Sequence, residues 1–231
     1  MLKPRMLEVK EDQSLHSMSN YYKDLTFASE EFVLKNLDLY KRTYKENVDR
    51  NNEINVSDYD IKISDKLIDV QTSFNFFKYE DLRIDILSAF SFKNNYSRTF
   101  PYQQVDLLNP NLLENELNIH KYGKWFDDRL HGVIFLLFNL PRPNLSSLLE
   151  YEEFFNENLI KIVYLTRNNL ADYLKENKNN LQDIRVNDKR RNDIEEHHQS
   201  AFLPINLNKI KSDRVCEVYN NLDDFQISFK L

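Results

Sequence analysis

The chain has 231 residues, 41% of them hydrophobic, a formal net charge of −6 and a pI near 5.5. That length fits one domain with insertions, and a chain of this size buries roughly 70% of the surface its unfolded form exposes. No apolar run approaches the roughly 20 residues of a membrane span, the lone Cys216 excludes an internal disulfide or a Cys-rich metal site, and having only Gly123 and Gly132 excludes Gly-rich phosphate loops.

The first residues, Met1 to Met6, lead into charged positions with no apolar signal region, so a reducing, cytoplasmic setting is expected. An acidic chain does not coat nucleic acid indiscriminately. A nuclease of this composition must gather its basic residues on one face or borrow a partner's affinity.

Residues 1–20 are polar and unpatterned and read as an arm or a short extra helix; residues 21–231 read as a single α/β domain. Val33, Leu37, Tyr40 and Tyr44 recur at helical spacing, which predicts a helix from Ser29, as N-cap, to Val48. The polar stretch Asp49 to Glu53 ends it. Alternation over Ile54 to Ile63, a turn at Ser64 to Lys66 and a returning run from Leu67 to Ser73 predict a hairpin. A third strand is expected around Leu82 to Leu87, and loops with a short helix over 93–130. His131 to Leu140 reads as a buried strand stopped by Pro141 and Pro143. A helix from Leu145 to Asn158, a strand from Leu159 to Thr166 and a helix to Asn177, capped by Thr166 or Asn168, follow. This strand–helix alternation suggests a crossover and a sheet covered by helices. Residues 182–199 are highly charged. Strands near Ala201 to Leu207 and Phe225 to Phe229 are expected to complete the sheet.

The chemistry concentrates in the hairpin. Side chains alternate along a strand, so Asp69, Gln71 and Ser73 share one face, and Asp60 on the neighbouring strand can lie beside Asp69. Two carboxylates brought together on a sheet suit a hard divalent cation, which prefers oxygen donors, waters and phosphate oxygens. Glu30 precedes Val33 by three residues and Leu37 by seven, and so falls on the helix face that should meet the sheet. A carboxylate there needs a partner or a metal.

An inward helical Glu, a hairpin Asp and the run Asp69-Val-Gln71 resemble the PD-(D/E)XK, or restriction-endonuclease-like, nucleases over about residues 25–75. The resemblance implies a central mixed sheet flanked by helices, an αβββαβ core with insertions, and metal-dependent hydrolysis of DNA. It further implies Mg²⁺ or Mn²⁺ held by Glu30, Asp60 and Asp69, with Gln71 at the position of the water-activating lysine. Tyr59 stands where the motif has proline, and Gln71 can orient a water but cannot carry charge. Lys62, on the strand face of Asp60, is expected to supply the missing cation, ahead of Lys78 or Arg83.

DNA is the expected partner, with RNA the neighbouring alternative. A protein partner is the other reading of the acidic balance: a non-catalytic, inhibitor or DNA-mimicking relative of the same fold. Ser73 and the cluster Lys189, Arg190 and Arg191 are candidate phosphate contacts, although a basic run is more often a solvated loop. Trp125, Phe74, Phe76, Phe77 and Tyr79 could stack on bases, although core packing is the commoner use of such rings. His197 and His198 beside Glu195 and Glu196 read as a solvated helix end, and Cys216 as filler rather than nucleophile.

Overall fold

The computed structural model describes residues 17–37, 48–50, 61–63, 66–93, 97–100, 117–188 and 199–229. The elements form two sheets with helices packed around them. The first sheet holds β1 (Val48–Arg50), β2 (Ile61–Ile63), β3 (Lys66–Ser73), β7 (Leu130–Phe138), β8 (Leu159–Thr166) and β11 (Cys216–Tyr219), in the order β1-β2-β3-β7-β8-β11. It is mixed: β3 and β7 run parallel, and the other pairs are antiparallel. The second sheet is antiparallel throughout, with β4 (Asp81–Phe92), β5 (Thr99–Phe100), β6 (Leu117–Tyr122), β9 (Ile184–Asp188) and β10 (Gln199–Asn206) in the order β5-β9-β10-β4-β6. The expected mixed α/β architecture is present. The second sheet was not foreseen.

Strand alternation divides the apolar residues of the first sheet into two cores. Ile68, Val70, Ile134, Leu136, Phe138 and Ile162 point to one side, where α1 (Ser17–Asn36), α3 (Leu148–Asn158) and α6 (Leu222–Ser228) cover them. Val133, Phe135, Leu137, Val163 and Leu165 point to the other, against α4 (Arg167–Glu176) and the inner side of the second sheet, with Ile84, Ile86 and Leu203. Burying both faces requires near-continuous apolar runs, and β7 supplies one.

Several local expectations change. Helix α1 starts at Ser17, so residues 17–20 fall within it. Ser29 lies inside it, its hydroxyl donating to the Leu25 carbonyl four residues back (2.7 Å), instead of capping it. Asp49 and Arg50 sit in β1; Tyr40, Tyr44, Asn51 to Glu53 and Ile54 to Asp60 lie outside the described residues. No crossover joins β7 to β8. They are adjacent and antiparallel, and α3 spans their connection. The tail from Phe225 to Ser228 is helical, because Asn221 caps α6 by accepting from the Asp224 N–H (2.8 Å), and Phe225 packs tilted against Phe229 just past the helix end. Helix α5 (Leu207–Ser212) and β11 complete the chain. Among the described residues no helix is long and apolar enough to cross a membrane.

The start of α3 is fixed by a capping box: the Ser147 hydroxyl accepts from the Glu150 N–H, and the Glu150 carboxylate accepts from the N–H groups of Ser146 and Ser147. Ser147→Ala is expected to cost about 1 kcal/mol, read as a lower urea midpoint at unchanged slope. The Ser146 N–H, above all, holds the Glu150 carboxyl below its usual range. A depressed folded-state value stabilises above the unfolded-state pKa and is lost as pH falls through the folded one, so this contribution is present at neutral pH and disappears in acid.

Candidate active site

The site forms where β3 meets the chain segment after β6. Ile68 and Val70 are drawn into the α1 side of the sheet, and this turns Asp69 and Gln71 to the side facing the second sheet. Asp69 lies beside Val133 and Gln71 beside Phe135 in the parallel ladder with β7. At 1% exposure, Asp69 is a carboxylate in a core and requires partners.

It has two. The Lys124 ammonium donates to Oδ1 in an ion pair, and Gln71 Nε2 donates to Oδ2 at 2.9 Å. Lys124 keeps 29% of its side chain exposed, so the pair is wet at one end and dry at the other. It is delivered by a single 3₁₀ turn, Lys124–Phe126, right after Gly123. Gly123 lies flat on β4, donating to the Ile86 carbonyl at 2.8 Å. Trp125 is fully buried and anchors the turn, its carbonyl accepting from Arg167 Nε at 3.0 Å. Phe126 packs on Tyr122, ring centroids 5.2 Å apart. A buried indole, a backbone contact with no room to move and a guanidinium at the start of α4 therefore fix the backbone that carries the lysine.

The residues singled out in the sequence separate into groups. Asp69 and Gln71 are together and bonded to each other. Lys62 is half-buried on β2, opposite Leu67, and so lies on Asp69's side of the hairpin as its diagonal neighbour. Ser73 ends β3 on the same side, half-buried. Asp60 lies outside the described residues; the last described pair before it is Ile61 with Ile68, one residue short of Asp69. Lys189, Arg190, Arg191 and the pair His197 and His198 also lie outside them.

Glu30 is not brought to Asp69. It is buried as expected, 9% exposed, but α1 covers the side of β3 that carries Ile68 and Val70, while Asp69 points to the other. The helix periodicity aims Glu30 at the sheet. It could not say which side of the sheet the helix would cover. Lys78 and Arg83 do not join the site either; both cluster around the Tyr79 ring.

The missed residue is Lys124. The region 93–130 has no clear period, so nothing in its pattern marked one lysine. The available signal was Gly123: in a chain with two glycines, one that ends a strand and precedes a Lys-Trp-Phe run marks a close backbone approach.

A carboxylate and an amide oxygen on one strand suit a hard cation that retains waters and takes phosphate oxygens. Among the described residues no group of three His, Cys, Asp or Glu side chains gathers to hold a metal. A cation bound at Asp69 must therefore complete its shell with waters, substrate oxygens or a residue beyond them. No protein-family model, no curated protein and no solved structure matches the chain.

The lone thiol stands apart from this chemistry. Cys216 lies opposite Leu165 at the end of the ladder, and burial pushes its thiol up to about 11. Its alkylation by iodoacetamide near pH 8 is expected to run about a hundredfold slower in the native protein than in urea, because thiolate is the reacting form. Intact-mass kinetics would show it.

Proposed function

We propose that the chain is a metal-dependent endonuclease hydrolysing DNA phosphodiester bonds, with Asp69, Gln71 and Lys124 at its centre. The carrying observation is the ion pair of Lys124 with Asp69. It puts a cation on the acid-x-Gln strand, where Gln71 has no charge to offer, and so answers in space the departure seen in sequence.

Mg²⁺ or Mn²⁺ would be held by Asp69 with Asp60; when bound, such an ion polarises a scissile phosphate and lowers the pKa of an attacking water. The chain's own groups do the rest. Lys124, tethered by the buried Trp125, offers its ammonium to charge developing on the phosphoryl oxygens and moves off Asp69 to do so. Gln71 orients the attacking water through its amide. Lys62 and Ser73, on the same side of β3, contact flanking phosphates. Glu30 has no role in this arrangement. The expected result is Mg²⁺- or Mn²⁺-dependent cleavage of DNA, single-stranded and plasmid substrates assayed side by side, that Asp69→Ala abolishes and Lys124→Met reduces by about a hundredfold or more, the cost of removing one positioned charge. Cleavage unchanged in Asp69→Ala rejects the site.

The burial of Asp69 favours a second reading. Both carboxylate oxygens are satisfied by the chain itself, which also fits a structural ion pair in a non-catalytic interaction or inhibitor protein of similar fold. That reading expects no cleavage under any metal and no metal uptake.

A further inference from the structure

Beyond Ser73 the chain does not pass straight into the second sheet. It makes one tight helical turn, α2 (Phe76–Tyr79), flanked on both sides by residues in the left-handed region, Asn75 (φ 53°) and Glu80 (φ 52°). The Glu80 N–H closes the turn on the Phe76 carbonyl at 2.7 Å, and the Asn75 N–H ties its base to Leu140 at 2.9 Å. Phe76 is buried as the anchor. The next three side chains point out: Phe77 is 52% exposed, Tyr79 46%, and Lys78 lies between them. Two large rings held in water on a closed turn are costly unless they meet something.

The cations around them indicate what. The Lys78 ammonium lies 5.3 Å from the Tyr79 ring centroid, and the Arg83 guanidinium 6.0 Å from the same ring and 4.9 Å from that of Phe202. Exposed rings interleaved with cations match a ligand that alternates flat apolar rings with anions, as a nucleic acid strand does. In a duplex the bases stack on each other and present no free ring face. A single strand does. Glu80, Asp81 and Asp85 stand close by in sequence, so the attraction is local and stacking must supply most of it.

We infer that the Phe77–Lys78–Tyr79 finger, with Arg83, grips unpaired bases of a single-stranded DNA. This deepens the nuclease reading by naming the form of its substrate, and it rests on that reading for DNA over RNA. Strand β3 connects the two places directly: from Asp69 to Ser73 the chain advances about 13 Å, and the finger follows. The finger would hold the strand a short distance from the bond to be cut.

The test is fluorescence anisotropy of a labelled oligothymidylate and of a duplex of equal length, in EDTA, so that no cleavage is needed. Expected is at least tenfold tighter binding of the single strand, a loss of about tenfold in Phe77→Ala and in Tyr79→Ala, and retention in Tyr79→Phe. The logarithmic salt slope should be shallow, near roughly −1.4 for two contacted phosphates, and shallower still in Arg83→Gln. Equal affinity for duplex, no binding, or alanine variants that bind like wild type would overturn the inference. So would self-association that Phe77→Ala abolishes, since the rings then serve a second copy of the chain. Intact binding without cleavage would defeat the nuclease reading alone, and cleavage of duplex with no role for the rings would defeat the finger alone.

Discussion

Lys124→Met is expected to lower the unfolding free energy by about 3 kcal/mol, among the largest losses available to a single side chain in this fold. Asp69 is 1% exposed and sits among Val133, Phe135 and Leu130. With its cation gone, a charge in a core keeps the Gln71 amide but loses its ion pair. Breaking a buried pair from one side costs about 3–5 kcal/mol, most of it the desolvation of the group left behind. The lower end applies because Lys124 is 29% exposed and water reaches its head. The discriminating comparison is the double variant. Asp69→Asn in the Lys124→Met background keeps the contact with Gln71 and removes the charge, so it should recover much of the loss. A double-mutant cycle by urea unfolding should show a coupling above about 1 kcal/mol. Additive effects would mean the pair is not one unit.

Gly123→Ala should damage both stability and the site. A Cβ at this position would stand 1.9 Å from the Asp85 carbonyl oxygen, 2.5 Å from its carbon and 2.8 Å from the Ile86 carbonyl carbon. All three are backbone atoms in the middle of β4, which pairs with β6 on one side and β10 on the other. They cannot move aside as a side-chain tip could. The segment carrying Lys124 must lift, at a cost of about 3 kcal/mol or more. Because Trp125 and Lys124 move with it, any activity should fall by about a hundredfold, the usual effect of misplacing a catalytic group by about 1 Å. Gly132→Ala is expected to be milder. Its Cβ would stand 2.8 Å from the Leu165 carbonyl oxygen and 2.9 Å from the Tyr164 ring, a smaller overlap than the 1.9 Å approach at Gly123. Thermal melts of the two variants side by side would rank them.

These two residues also show where reading the sequence stopped. Elements whose burial is dictated by their own pattern were legible: β7, β8, α3 and α4 fall within a few residues of expectation, since apolar runs and helical stripes carry their own periods. The hairpin of β2 and β3 was legible for the same reason, and with it the shared side of Asp69, Gln71 and Ser73. Topology was not. Whether β8 returns parallel or antiparallel to β7, and whether β4 joins the first sheet or starts a second, depends on contacts far apart in sequence. Glu30 failed by that route: local periodicity aimed it at a sheet, and tertiary packing put α1 on the wrong side for Asp69. The tail failed through capping, because Asn221 turned an apolar pair that reads as strand into a helix. Lys124 was invisible because its position comes from the flat contact of Gly123 on β4 and the burial of Trp125, neither of which has a period.

Calorimetric titration of Mn²⁺ into wild-type protein and Asp69→Ala addresses the site most directly, since it needs neither a known DNA sequence nor an optimised reaction. Saturable binding at or below millimolar metal, absent from Asp69→Ala and strengthened in Lys124→Met as the competing ammonium is removed, is the result expected of a nuclease centre on β3. No heat beyond dilution in the wild type, or binding that persists in Asp69→Ala, would leave Asp69 and Lys124 as a structural ion pair and nothing more.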